Sequence, residues 1–354
     1  MKKINTLIVL IFLLVSLIFL SCSVSVKENL LEKPKSLDKE TTISQQNENE
    51  LSIMLAEIEE IVDPNNISWP RIVNINDIEI VIYDKPKRIV TVSLGHDEIL
   101  FGIANKDQIV GTTSFAHEEG SNIKDKSKGL PTVSNDPESI IVLDPDIVFA
   151  DPFTSMELID VLKDFGIKVI QTKLNNSMDG RKKDILLMSY MTGNLSEAIK
   201  LINLIDRNVE TLENLAQENK ESTKKVMTLS WWDAYWTSGK GSTEDSIISL
   251  TGAINLSTLN GVQSNATIDK ELLIAMNPEI ILITQSVNWG GNDFFNQLFK
   301  DDSLSNIDAI KNKEVYLVNP NWWSTLSYWN TKGSEELAKI LWDLQEIPYF
   351  EDYQ

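Results

Sequence analysis

The segment ESIIVLDPDIVFA, residues 138–150, returns at residues 271–283 as ELLIAMNPEIILI. Aligned without gaps, twelve of the thirteen positions agree in polar or apolar character, and Ser139 against Leu272 is the exception. Each copy reads as a helix, a proline-containing turn and a buried strand. Asp136 and Asp269 stand two residues before the paired Glu138 and Glu271, where a helix N-cap belongs. A unit that recurs at a parallel place in each half predicts two similar lobes.

Around the first copy, RIVNINDIEIVIYDKPKRIV (71–90) reads as a β-hairpin about Asn76-Asp77, running into a buried strand, RIVTVSL (88–94). A helix at 97–103 follows, then the short apolar runs QIVGT (108–112), DIVFA (146–150) and IKVIQ (167–171). Around the second copy, KVMTLSW (225–231), EIILIT (279–284) and EVYLV (314–318) continue the scheme. Apolar strands that alternate with helices imply parallel sheets covered on both faces. Between the halves, Leu195, Ala198, Ile202, Ile205, Val209, Leu212 and Ala216 recur at three- and four-residue steps and share one helical face. Asn194 is the expected N-cap, with Glu197 three residues on. A helix over 196–219 would measure about 36 Å at 1.5 Å per residue, a stiff strut between lobes. The expected fold class is therefore α/β: two Rossmann-like lobes with parallel central sheets, joined by one long interdomain α-helix.

The N-terminus carries its own signals. Lys2 and Lys3 precede an apolar stretch from Leu7 to Leu20 that only Ser16 interrupts, and Ser21-Cys22 and a polar segment follow. This is the layout of a secretory signal, short for a bilayer span of about 20 residues. Cys22 is the single cysteine, so it has no internal disulfide partner. Phe19-Leu20-Ser21-Cys22 resembles a lipobox, with Phe19 in place of the usual small aliphatic residue; an uncleaved N-terminal anchor is the alternative. The expected divisions are a lipoprotein signal at 1–22 with Cys22 lipidated, a polar tether at 23–66, a first lobe at 67–182, a helical region at 183–222 and a second lobe at 223–354. Leu51 to Val62 has the pattern of a short amphipathic helix within the tether.

Composition narrows the partners. The chain has 354 residues and a formal charge of −20, with only four arginines, at 71, 88, 181 and 207. That balance excludes a nucleic-acid backbone as partner. It favours solubility and a cationic docking partner.

The motifs PKRIVTVSLGHDEILFGIANKDQIVGTT, LDPDIVFA, DFGIKVIQ, TSGKGSTEDSIISLTGAINL, MNPEIILIT and AIKNKEVYLVNPNWW, with the long helix between them, resemble the class III (iron-siderophore and vitamin B12) periplasmic binding proteins. The similarity runs over roughly residues 68–345. It implies two α/β lobes with ligand in the shallow cleft between them, a monomer that serves an ABC permease dimer with a cytoplasmic ATPase, and no cofactor. Glu138 and Glu271 match the acidic residues by which this family docks arginine pockets on the permease. Two acidic points on two lobes suit a two-fold partner, although each glutamate would also complement its own helix dipole.

Ligands of open α/β sheets gather beyond the carboxyl ends of the strands. Seven of the nine tryptophans fall in three post-strand loops of the second half: Trp231, Trp232 and Trp236 with Tyr235, then Trp289, then Trp322, Trp323 and Trp329. Such aromatic walls suit a large, flat or greasy ligand, and in an extended doublet such as Trp231-Trp232 the two side chains point opposite ways. His96, Phe115 and Phe153 are weaker candidates in the first half. With His96 and His117 the only histidines, a bare metal-ion receptor is not expected, though either imidazole is a candidate axial ligand to a bound complex. SGKGST (238–243) is not a phosphate loop, because Ala234 and Gly241 stand where glycine and Ser/Thr are required. The reading is an extracytoplasmic, lipid-anchored solute-binding protein for a metal chelate or a cobalamin- or haem-like ligand. A surface enzyme, adhesin or signalling receptor on the same scaffold is the rival; no catalytic signature is present.

Overall fold

The computed structural model describes residues 45–353. The signal segment, Cys22 and the start of the tether lie outside the described residues. Among the described residues, thirteen strands form a two-stranded hairpin, a five-stranded sheet and a six-stranded sheet.

The hairpin pairs β1 (Arg71–Ile75) with β2 (Ile78–Ile82) in antiparallel register. Asn76 and Asp77 both take left-handed backbone, φ 51° and 63°. A two-residue hairpin loop of this hand needs positive φ at both positions, and Asn and Asp tolerate it best after glycine.

The first sheet contains β3 (Ile89–Thr91), β4 (Ile109–Thr113), β5 (Thr132–Val133), β6 (Ile147–Ala150) and β7 (Lys168–Gln171), ordered β5-β4-β3-β6-β7 and wholly parallel. The second contains β8 (Lys225–Trp231), β9 (Tyr235–Ser238), β10 (Ile254–Asn255), β11 (Asn265–Ile268), β12 (Ile280–Ile283) and β13 (Val315–Leu317), ordered β11-β9-β8-β12-β13 with β10 on β8. Here β8, β12 and β13 are parallel, but β9 runs antiparallel to both β8 and β11. A wholly parallel second sheet was expected. The chain instead reverses within three residues, with Asp233 at φ 60° and the Trp232 amide on the Ala234 carbonyl at 3.1 Å, which leaves no room for a crossover.

The repeated unit occupies equivalent places. β6 pairs with the opening strand β3 of its half, and β12 pairs with β8. Every residue of β6 and β12 is buried, which is why both read as unbroken apolar runs. The Asp136 carboxylate caps the helix Pro137–Ile141 through the Glu138 amide (3.1 Å), and Asp269 caps Lys270–Met276 through the Leu272 amide (2.7 Å). Asp144 and Asn277, at matched positions after those helices, both take left-handed backbone.

Leu195–Glu218 is a single helix of 24 residues. Leu195, Ala198, Ile202 and Ile205 pack into the core around the first sheet, while Leu212 and Leu215 join Ala338 and Ile347 in another cluster. The second sheet has its own core, built on Met227, Leu229, Ile281 and Ile283. Asn194 does not cap the long helix through its side chain. Its Nδ2 donates to Thr192 Oγ1 and its Oδ1 accepts from Lys85 Nζ, because Gly193 at φ 73° ends the helix Met178–Thr192 one residue earlier and turns Asn194 toward that end.

The tether expected over 23–66 is cut back by the structure. Gln45–Ala56 is a helix, and Leu51, Leu55, Ile58 and Ile61 are buried in the core around the first sheet. Leu51 and Leu55, one turn apart on the helix, and Ile58 and Ile61 just beyond it form an apolar surface that must be covered. This stretch therefore belongs to the first lobe.

Candidate functional site

The order β5-β4-β3-β6-β7 reverses direction between β3 and β6, and a cavity of about 750 Å³ opens there. Val92–Gly95 follow β3, Asp151–Phe153 follow β6, and Lys173, Leu174 and Asn176 follow β7; all line the space. Phe115 and the segment Ser324–Leu326 complete it. The surface is chiefly apolar, with Asp151 and Lys173 as its charged members.

The second sheet carries a cavity chiefly over its β8, β9 and β11 strands. This cavity, of about 350 Å³, is lined by Thr228 and Ser230 of β8, Thr284 after β12, Trp232, Trp236, Asn265 and Glu244. The Trp231-Trp232 doublet splits as strand alternation requires. Trp232 and Trp236 face this cavity. Trp231 lies on the opposite face with Tyr235 (5.0 Å) and Phe294 (6.3 Å), beside a separate hollow of about 310 Å³.

The two halves meet at a seam beside the first cavity. Asn176, in the first cavity, donates to the Gly241 carbonyl (2.9 Å) and accepts from Thr243 Oγ1 (3.2 Å), next to Glu244 of the second cavity. Arg181 Nη2 reaches Thr243 Oγ1 and the Thr325 carbonyl, and Asn122 Nδ2 reaches the Asn321 carbonyl at 2.8 Å. Glu98 lies at the centre. Its Oε2 accepts from the hydroxyls of Thr325 and Ser327, and its Oε1 from the Asn122 amide groups. Burial raises the Glu98 pKa above the usual carboxylate range and lowers that of Arg181 to about 10. The floor segment 324–326, supplied by the second half, is thus bolted to the first.

Several expected site residues lie elsewhere. His96 is fully buried, with Nδ1 against Ser93 Oγ (2.6 Å) and Nε2 against Thr172 Oγ1 (2.9 Å). Burial lowers its pKa to about 4, so the neutral ring is a structural tie rather than a cavity wall. His117 is likewise engaged at both nitrogens, by Thr112 and Ser127. Neither histidine is presented as an axial ligand. Trp323 is fully buried and donates Nε1 to Glu336 (2.9 Å), because Pro320–Trp323 forms a helical turn that carries the indole inward. Trp322 packs against the same core with Lys332 over its ring, and Trp329 stacks on Tyr328 and meets Tyr353 edge to face. None of these three lines either cavity. Trp289, 68% exposed, lies beside Trp232 at 6.2 Å. Phe115 and Phe153 are both exposed and both line the first cavity. Glu138 and Glu271 are exposed on the first turns of their helices.

Sequence reasoning missed Lys173, Leu174, Asn176, Ser324–Leu326 and Glu244. The first three were within reach, since they follow the strand 167–171 and post-strand positions were the stated criterion. Residues 324–326 lie in the post-strand loop already singled out for its tryptophans, whereas Glu244 carries no local mark and comes to its cavity only through tertiary folding.

A family model described as periplasmic binding protein matches residues 89–321. Over 269 residues the chain is 24% identical to the uncharacterized ABC transporter substrate-binding lipoprotein YvrC of Bacillus subtilis, covering 75% of this chain and 82% of that protein. It is 23% identical over 206 residues to a cobalamin-binding protein of Halobacterium salinarum, covering 57% of this chain and 55% of the relative. Among solved structures, a possible iron-binding periplasmic solute-binding protein from Staphylococcus epidermidis superposes with a TM-score of 0.64 at 21% identity, over 73% of this chain and all of that one. The haem-binding protein HutB of Vibrio cholerae gives 0.63 at 22%, over 72% of this chain and 98% of that one. With two lobes and one long connecting helix, the chain belongs to the periplasmic binding protein family, in its class III form.

Proposed function

We propose that this protein is an extracytoplasmic receptor, held to the membrane through a lipid on Cys22, that captures a bulky chelate or corrinoid between its lobes and delivers it to an ABC permease. The observation that carries the reading is an apolar cavity at the carboxyl ends of the first sheet and an aromatic-lined one on the second, with Asn176 and Thr243 bonded across the halves. Apolar and aromatic walls with a few polar groups suit capture of a large, weakly charged ligand. Phe115 and Phe153 on one side and Trp232 and Trp236 on the other supply stacking area. The bolted floor leaves little freedom for hinge motion, so the affinity comes from a largely pre-formed site. Glu138 and Glu271, one on each half and both exposed, are the docking points for a two-fold permease.

Several structural neighbours are described as haem-binding and the Halobacterium relatives as cobalamin-binding. Neither cavity here is lined by an imidazole, phenol, thioether or thiol. A haem iron would find none of these axial donors. A metal whose coordination sphere is already filled, as in a corrinoid or a hexadentate ferric chelate, needs none, and the reading favours that class.

Tryptophan fluorescence of the intact chain, titrated with cyanocobalamin, a ferric trihydroxamate and haemin, tests this. Saturable one-to-one quenching by one of the first two is expected. No saturable response to any of them would sink the reading.

A further inference from the structure

Glu244 is the one charged side chain of the second cavity, and it is buried. It lies in the first turn of the helix Thr243–Leu250, where burial raises its pKa above the usual carboxylate range and hydrogen bonding to the neighbouring Ser238 and Ser242 hydroxyls pulls it back. A carboxylate has about four acceptor sites on its two oxygens, so these bonds leave it with capacity to accept more. Trp232 and Trp236 line the same space, and Thr228, Ser230 and Thr284 add hydroxyls.

On the proposed reading of the cleft as a chelate or corrinoid receptor, we infer that Glu244 sets ligand specificity, by accepting a hydrogen bond from an N–H donor of the ligand, a primary amide or an ammonium, seated between the indoles of Trp232 and Trp236. The charge balance of the cleft agrees. Asp151 and Glu244 stand against Lys173 alone, so the two crevices together carry a small negative excess. A ligand carboxylate brought against Glu244 would meet a like charge in a partly desolvated space, while an amide or ammonium would satisfy it. The cleft therefore discriminates against ligands that present carboxylates and for ligands that present N–H groups on the face turned to the second lobe.

The test uses matched probes and the full chain. One pair is cyanocobalamin and its monocarboxylate, in which one propionamide is hydrolysed. Another is the ferric trihydroxamate ferrioxamine B, which carries a terminal ammonium, and its N-succinyl derivative, which carries a carboxylate. Haemin, a dicarboxylate, is the fifth probe. Binding is read by tryptophan fluorescence for the wild type and for Glu244→Gln, a substitution that keeps shape and the acceptor for Ser238 and Ser242; an unchanged melting temperature confirms the fold. The wild type should prefer the amide or ammonium member of a pair by about tenfold or more, the scale of a hydrogen bond to a charged group. In Glu244→Gln the preference should shrink to about threefold or less, by the loss of both the attraction and the repulsion. Equal binding of both members by the wild type, or an unchanged preference in Glu244→Gln, overturns the inference. Binding of haemin alone also overturns it and leaves the receptor reading standing. Silence with all five probes ends both.

Discussion

Ser327 donates its hydroxyl to the Oε2 of Glu98 at 2.5 Å, a contact between residues 229 positions apart. Through it and through Thr325, a buried carboxylate of the first half fixes the cavity floor contributed by the second. Removing that carboxylate strands two hydroxyls and the Asn122 amide groups. Glu98→Ala should therefore lower unfolding stability by about 1–3 kcal/mol in urea titration and weaken ligand binding as the floor loosens. Glu98→Gln, which keeps one acceptor oxygen, should lose less of both. Wild-type stability in Glu98→Ala would remove the bolt from the account.

Two tryptophans with similar sequence settings should behave in opposite ways. Trp323→Ala empties a fully buried site and removes one of the donors to Glu336, so a loss of about 3–5 kcal/mol is expected in chemical denaturation. Trp232→Ala changes an exposed cleft wall. It should leave the melting temperature near the wild-type value while weakening ligand by about 2–10-fold, the usual worth of one aromatic contact.

Asp97 is fully buried, bonded to Thr91 Oγ1 and to the Thr113 amide and hydroxyl, and burial pushes its pKa up to about 8 despite those bonds. The folded state holds a proton there that the unfolded chain releases near pH 4. The stability linked to this group is fully present below pH 4 and is lost as pH rises to about 8. His96 has the opposite sign. With its pKa lowered to about 4, it contributes stability above pH 6.5 that is lost as pH falls toward 4. Asp97→Asn should flatten the decline of unfolding free energy between pH 4 and 8, and leave the acid-side loss from His96 in place. Parallel pH profiles for variant and wild type would contradict the assignment.

Charge reversal of the two exposed glutamates, Glu138→Lys with Glu271→Lys, should abolish ligand uptake in cells while ligand affinity of the purified protein stays within about twofold. Uptake at the wild-type level would remove these residues from the docking surface.

Much of the architecture was readable because period and punctuation are local properties. The duplicated helix-turn-strand, the Asn76-Asp77 hairpin and the 24-residue helix are each signalled within a short window. Trp231 and Trp232 separated as alternation demands. Readings failed where a local pattern served a distant partner. Leu51, Leu55, Ile58 and Ile61 were recognised as a stripe, but nothing in the stripe says that the first lobe covers it. Trp322 and Trp323 follow a strand, as cleft residues do, yet Pro320 starts a turn that points the second indole at Glu336. Glu244 was passed over because its neighbours in sequence, Thr243 and Asp245, are ordinary first-turn residues, and only folding brings it to a cavity that two indoles also line.

The core around the first sheet includes Tyr328 and Tyr353, which are encoded after every strand of the second sheet. Tyr353 closes that core through Thr331 and the rings of Tyr328 and Trp329. The half that is synthesised earlier therefore waits for residues that are synthesised later before its packing is complete. A nascent chain built this way cannot complete its first core until translation has passed the second sheet, so the two halves finish packing together rather than in turn.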